Sequence, residues 1–134
     1  MPSRFLSLLA MALLLTATAA AQAVAVAEIS GQVTDSSGAV VPAAQVRVTQ
    51  TETQYTRIAT VDALGSYTLV NLPVGPYSLE VKADGFKTFV QSGILLQVGN
   101  KVPINVSLQV GAVTENVVVS ADATMVETKN TSVA

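Results

Sequence analysis

The chain contains no cysteine and no histidine. Without cysteine there is no disulfide and no thiolate nucleophile. Without histidine the commonest general base and the commonest zinc ligand are both missing. Aromatic side chains are also scarce, with three Phe, three Tyr and no Trp. These absences argue against an enzyme and against a bound metal, and we expect no cofactor.

The carboxylates are scattered singly along the chain. Asp35, Asp62 and Asp84 each precede a glycine by one to three residues, which is the spacing of a turn. The competing interpretation is a calcium site, which needs several oxygen ligands that converge. Capping of three separate turns accounts for these residues without a ligand.

The charge balance is mild. Seven basic and nine acidic residues give a net charge of −2, and the basic residues form no continuous stripe. Nucleic acid is therefore not expected as a partner.

Residues 1–23 have the three-part layout of a secretory signal peptide. Arg4 supplies a positive charge, an apolar run extends from Phe5 to Leu15, and Ala21-Gln22-Ala23 forms a cleavage site. The alternative is an uncleaved membrane anchor, because no charge lies between Arg4 and Glu28 and that stretch is long enough to span a bilayer. In both cases the rest of the chain leaves the cytoplasm.

The remainder of the chain has the pattern of an all-β protein. Apolar and polar residues alternate, turn signals recur roughly every ten residues, and no window has a helical period. We expect a seven-stranded antiparallel Greek-key β-sandwich. The clearest signal is Gly-x-Tyr at Gly65–Tyr67 and again at Gly75–Tyr77, where each glycine closes a turn and each tyrosine buries its ring with its hydroxyl bonded to a loop. The predicted core consists of Val33, Val46, Val48, Tyr67, Leu69, Tyr77, Leu79, Val81, Phe86, Ile104, Val106 and Leu108.

The composition changes after residue 110. A further extended segment is followed by a polar, Thr-rich stretch that is typical of a linker. We therefore divide the chain into a signal peptide at 1–23, a β-sandwich at 24–110 and an extended segment with linker at 111–134. Because it ends in linker, we expect this chain to be the front part of a longer protein.

Residues Ile29 to Val110 resemble the carboxypeptidase regulatory-like domain, a transthyretin-like sandwich. The matching motifs are Gly31–Asp35, Gly38–Val46, Thr60–Tyr67, Leu72–Tyr77 and Ala83–Lys87. The resemblance implies a fold that is often described as carbohydrate-binding-like. It does not imply a peptidase, since a zinc carboxypeptidase needs histidine ligands.

The order of signal peptide, sandwich and short extended box is similar to the N-terminal part of TonB-dependent outer-membrane receptors. Glu115-Asn116-Val117-Val118-Val119-Ser120-Ala121 resembles the TonB box, an acidic residue followed by a β-branched run. The resemblance implies that this segment pairs as an added strand with a periplasmic energy-coupling protein, or with another protein partner. It also implies a periplasmic or outer-membrane location, with membrane association through a C-terminal barrel beyond Ala134. The alternative is that the segment is a last sandwich strand or a strand that links domains.

A second function class is a ligand-binding module that acts on its own. Sugar-binding faces use exposed aromatic rings, and Tyr55 and Phe89 are the only aromatic residues that we expect to be exposed. These two residues form the candidate ligand face for a glycan.

Overall fold

The computed structural model describes residues 25–121 of the chain. Nine strands are present in this part, namely β1 (Val26–Asp35), β2 (Gln45–Gln50), β3 (Thr56–Thr60), β4 (Ser66–Pro73), β5 (Gly75–Lys82), β6 (Thr88–Leu96), β7 (Lys101–Pro103), β8 (Val106–Leu108) and β9 (Asn116–Ser120). The predicted signal peptide lies outside the described residues. No segment of the described chain forms a helix long and apolar enough to cross a membrane.

The strands form two sheets that pack as a sandwich. In the four-stranded sheet β1 lies between β4 on one side and the short strands β7 and β8 on the other. The five-stranded sheet has the order β3-β2-β5-β6-β9. The predicted all-β sandwich is confirmed.

The pairing is antiparallel except at three places. β7 and β8 both run parallel to β1, and β9 runs parallel to β6. Within Lys101–Val110 the chain forms two short strands, β7 and β8, which are interrupted at Ile104 and Asn105. β6 continues through Gly93 as one strand.

The core is built from the alternating residues that the sequence pattern indicated. Eleven of the twelve predicted core residues are buried, and the exception, Phe86, is half-buried and packs against the core from the turn before β6. Phe86 remains partly exposed because the Asp84-Gly85 turn holds it at the end of the sandwich. The core also includes Ala27, Ile29, Val41, Ala44, Val61, Leu72, Ile94 and Leu96.

Gly31 lies in the middle of β1, where a side chain has no room. A Cβ at this position would lie 1.9 Å from the carbonyl oxygen of Ile104. The Tyr67 ring reaches past Gly31 from β4, and its hydroxyl donates to that same carbonyl at 2.6 Å. Beside it, Ile104 donates its N–H to Ser30 O at 2.8 Å, and the Asn105 side-chain oxygen accepts the Gln32 N–H at 3.0 Å. The break between β7 and β8 is therefore held to β1 by hydrogen bonds.

The β4–β5 corner depends on a buried glutamine. Gln50, which is 5 % exposed, donates through Nε2 to Val74 O at 2.6 Å and accepts the Thr53 hydroxyl. Gly75 has a φ of 131°, and a Cβ there would lie 2.6 Å from Gln50 Nε2. The Tyr77 hydroxyl donates to Pro73 O at 2.7 Å. Both Gly-x-Tyr tyrosines bury their rings as predicted. The Tyr67 hydroxyl bonds to a loop carbonyl, as expected, whereas the Tyr77 hydroxyl bonds to the last residue of β4.

Two of the three acidic turns are confirmed as capped. Asp35 Oδ1 accepts the N–H and hydroxyl of Ser37 and the N–H of Ala39. Asp62 Oδ1 accepts the N–H groups of Leu64 and Ser66. The hydrogen bond from the Ser37 hydroxyl lowers the pKa of Asp35 from its usual value.

We expect Gly31→Ala to destabilise the sandwich by about 3 kcal/mol, because the new methyl group meets a fixed backbone carbonyl. Gly111→Ala is the matched control. Its Cβ would lie 2.7 Å from Lys87 Cγ and 2.8 Å from Lys87 Cε, side-chain atoms that can move aside, so the expected cost is smaller, about 1 kcal/mol. Urea unfolding of the two variants tests this, and equal midpoints would contradict it.

We also expect stability to fall above pH 10. Burial raises the pKa of the Tyr67 phenol well above its ordinary value of 10.0. The folded protein therefore keeps a proton that the unfolded chain loses, and the stability present below pH 10 is lost as the pH rises further. The limiting slope for one tyrosine is about 1.4 kcal/mol per pH unit.

Urea unfolding between pH 8 and pH 11 measures this slope. Tyr67→Phe should be less stable by about 1 to 3 kcal/mol at pH 8 because the Ile104 carbonyl loses its donor. It should also lose stability less steeply above pH 10. A variant with the same slope as the wild type would show that Tyr67 is not responsible.

Candidate functional site

The segment Glu115–Ala121, singled out in the sequence, contains β9. Asn116–Ser120 pair in parallel with Thr88–Ser92 of β6, without a bulge, and form one edge of the five-stranded sheet. The segment therefore extends the sheet beyond residue 110, the boundary predicted for the sandwich.

Polar contacts with the start of β6 hold the approach to β9. Thr88, which is 2 % exposed, donates its N–H to Glu115 O at 2.8 Å and its hydroxyl to Val113 O at 2.7 Å. Lys87 Nζ lies 3.3 Å from the Glu115 carboxylate, and the Lys87 N–H donates to Gln109 O at 2.7 Å. These contacts fix the position at which β9 begins.

The roles of Lys87 and Thr88 are not indicated by the sequence. A lysine and a threonine after an Asp-Gly turn have the pattern of an exposed strand entry. Their partners lie more than 20 residues away in sequence, and no local pattern indicates them.

The side chains of β9 are weakly buried. Val117 and Val119 are half-buried and lie beside Phe89 and Gln91, on the face of the sheet that packs on the core. Val118 points to the opposite face beside Val90 and is 67 % exposed. Packing therefore contributes little to the attachment of β9, and backbone hydrogen bonds to β6 contribute more.

The backbone of β9 has two different sides. Because Thr88 N–H bonds to Glu115 O, the parallel pattern directs the N–H and C=O groups of Val117 and Val119 toward β6. The same pattern directs those of Asn116 and Val118 away from the sheet.

The other strand edges carry features that oppose strand addition. On β3, Arg57 shares the inward face with buried Val48, and an inward-pointing charge protects an edge. On β4, Asn71 has a positive φ of 56° near a break in register, and Pro73 ends the strand. The third edge is formed by β7 and β8, which have only three residues each, and β7 ends in Pro103. β9 contains no charged residue, no proline and no bulge.

Tyr55 and Phe89 do not form one platform. Both are half-buried and pack against the core. Tyr55 lies near the end of the sheet where Gln50 pairs with Tyr77 of β5. Phe89 pairs with Val81, which is four residues further along β5. At a rise of roughly 3.3 Å per residue, the two positions are about 13 Å apart along the strand. The Tyr55 hydroxyl accepts a hydrogen bond from Arg57 at 3.3 Å. The structure therefore does not bring the two predicted ligand-face residues together.

The concave features of the described surface are open and shallow. A groove of about 390 Å³ lies between the end of β9 and the other sheet, with Ile94, Val102, Ile104 and Ala121 among its lining residues. A second, of about 280 Å³, includes Gln45, Lys82 and Asp84. Residues 25–121 contain no group of three or more acidic side chains placed to hold a metal ion.

Comparison with solved structures places the fold among known β-sandwiches. Similar structures include catechol 1,2-dioxygenase from Acinetobacter radioresistens (16 % identity, TM-score 0.51), with 73 % of this chain and 58 % of that chain covered. Hydroxyquinol 1,2-dioxygenase from Pseudomonas putida DLL-E4 is similar at 11 % identity and a TM-score of 0.53, with 69 % and 59 % covered. A putative carbohydrate binding protein from Bacteroides uniformis ATCC 8492 has 15 % identity and a TM-score of 0.51, with 61 % and 40 % covered.

These likenesses concern the fold alone, because each identity is below 20 %. This chain also spans less than two thirds of the length of each of these three structures. No curated protein sequence matches the chain significantly.

The family model of the carboxypeptidase regulatory-like domain matches residues 28–109. The matched region begins in β1 and ends just after β8, so it contains both sheets except for β9. The resemblance expected from the sequence motifs is confirmed. The chain belongs to the carboxypeptidase regulatory-like domain family, whose domains are of a regulatory or binding type.

Proposed function

We propose that this chain is a non-catalytic, exported interaction module that forms the N-terminal periplasmic domain of a TonB-dependent outer-membrane receptor. In this proposal Glu115–Ala121 is the segment that binds the periplasmic energy-coupling protein. The observation that carries the proposal is the position of β9, an uncharged run of three valines on the least protected edge of the described sandwich. An edge strand of this kind is suited to pairing with a strand of another protein.

The residue inventory supports a binding role over a catalytic one. The chain has no histidine or cysteine, and the nine carboxylates are spread along it. The two tyrosines whose pKa values are raised by burial, Tyr67 and Tyr77, donate their hydroxyls to backbone carbonyls and serve the fold. The dioxygenases share the sandwich at low identity, and their activity does not transfer to this chain.

Export rests on the sequence of residues 1–23. Their layout of positive charge, apolar run and Ala-x-Ala site supports cleavage of a signal peptide and passage into the periplasm. The outer-membrane context rests on the order of signal peptide, sandwich and box.

Glycan binding is the second candidate, and the fold neighbour from Bacteroides uniformis favours it. Against it, the outward face of the five-stranded sheet has a central row of Ile58, Arg47, Glu80, Val90 and Val118, with no aromatic ring for a sugar to stack on. Tyr55 and Phe89 lie at opposite ends of the sheet and face the core. Protein binding through β9 is therefore the better supported function.

We expect replacement of Val117, Val118 and Val119 by serine to weaken binding to the periplasmic domain of the energy-coupling protein at least ten-fold. Serine has a lower strand preference and removes the apolar contacts of β9. Ile58→Ser is the matched control, because Ile58 is 50 % exposed on the opposite edge strand and should leave binding unchanged. Calorimetric titration measures both variants, and equal losses in the two would contradict a specific role for β9.

We expect a titration of the wild type against a panel of soluble glycans to give no saturable binding. Tyr55→Ala and Phe89→Ala are titrated against the same glycans. Saturable binding that either variant abolishes would replace the protein-interaction proposal with the glycan-binding one.

A further inference from the structure

We infer that the energy-coupling protein adds its strand to β9 while β9 remains docked on β6, so that the five-stranded sheet becomes six-stranded. This inference rests on the proposed function and specifies how the segment is bound. The contrasting mechanism is release, in which β9 leaves β6 and binds as a free peptide.

The docked strand is already ordered in the conformation that strand addition requires. Its start is held by both hydrogen bonds of Thr88 and by the Lys87–Glu115 ion pair. A free peptide must lose roughly 1 to 2 kcal/mol of backbone entropy per residue before it can pair. A partner that meets β9 in place avoids this cost.

The docked strand still presents hydrogen-bonding groups to a partner. The register on β6 directs the backbone N–H and C=O of Asn116 and Val118 away from the sheet. The side chains beside this edge are uncharged, and exposed Val118 offers an apolar surface on the outward face. An incoming strand therefore finds backbone partners and one apolar contact without displacing β6.

One flanking charge indicates the kind of strand that fits. Glu115 directly precedes β9, and its carboxylate is 58 % exposed although Lys87 Nζ lies 3.3 Å away. Strand addition brings one end of the incoming strand close to this carboxylate. The partner is thus an extended, uncharged, β-branched strand with a lysine or arginine at the end beside Glu115.

Two proline variants of the full chain separate docked addition from release. Val118→Pro removes an N–H that faces away from β6, so β9 stays docked while its outer edge loses a donor. Val117→Pro removes an N–H that faces β6 and undocks the strand. The probe is the periplasmic domain of the energy-coupling protein, and its dissociation constant is measured by calorimetry.

We expect Val118→Pro to weaken binding at least ten-fold and Val117→Pro to weaken it as well, because the undocked strand is no longer ordered. Val118→Lys, which keeps the N–H but places a charge beside the edge, should also weaken binding. Urea unfolding of each variant shows whether the substitution disturbs the fold. If Val118→Pro does so, Val118→Lys tests the outer edge without a proline.

The opposite results overturn the inference in distinguishable ways. Tighter binding by Val117→Pro would show that release is the mechanism, and the proposed function would stand. If both Val118 variants bind as tightly as the wild type while the triple serine variant loses binding, the inference of docked addition is wrong and the proposed function still stands. If the wild type does not bind the probe, both the proposed function and the inference are wrong.

Discussion

The contact between Gly31 and the Ile104 carbonyl is the constraint on which the rest of the sandwich depends. The chain returns beside β1 in parallel, and it does so in two short strands with a break between them. At the break the Ile104 carbonyl points across β1, where only a glycine leaves room for it. Tyr67 covers the gap with its ring and supplies the hydrogen bond that a buried carbonyl requires.

The position of β9 follows from this arrangement. Once β8 is held beside β1, the next residues lead back to the five-stranded sheet, where Lys87 and Thr88 bind the backbone of 109–115. β9 then begins in a fixed register on β6. β9 buries little surface, and it is held at the sheet edge by the polar contacts of the residues just before it in the sequence.

Most of the fold was predictable because its signals are local. Alternation of apolar residues identified the buried face of β2 and β5, and the Gly-x-Tyr pairs identified both tyrosine corners. The Asp35 and Asp62 turns were predictable because aspartate caps residues close by in sequence. The parallel return at Ile104 and the burial of Gln50 were not predictable, since both depend on partners far along the chain.

The candidate site was predictable in part. The residues 115–121 stood out by their pattern, yet nothing in that pattern indicated that they would pair in parallel with β6. Nothing in the sequence around Lys87 and Thr88 indicated that they would bind residues 109–115. Tyr55 and Phe89 were singled out by residue type alone, and their half-buried positions depend on tertiary packing.

β9 is a docked strand with one side of its backbone directed away from the sheet. Amide hydrogen exchange of the full chain, resolved by residue with NMR, tests this arrangement most directly. We expect slow exchange at Val117 and Val119, whose N–H groups face β6, and fast exchange at Val118 between them. Fast exchange at all three valines would show that β9 is not docked, and slow exchange at Val118 would show that its outer edge is already covered.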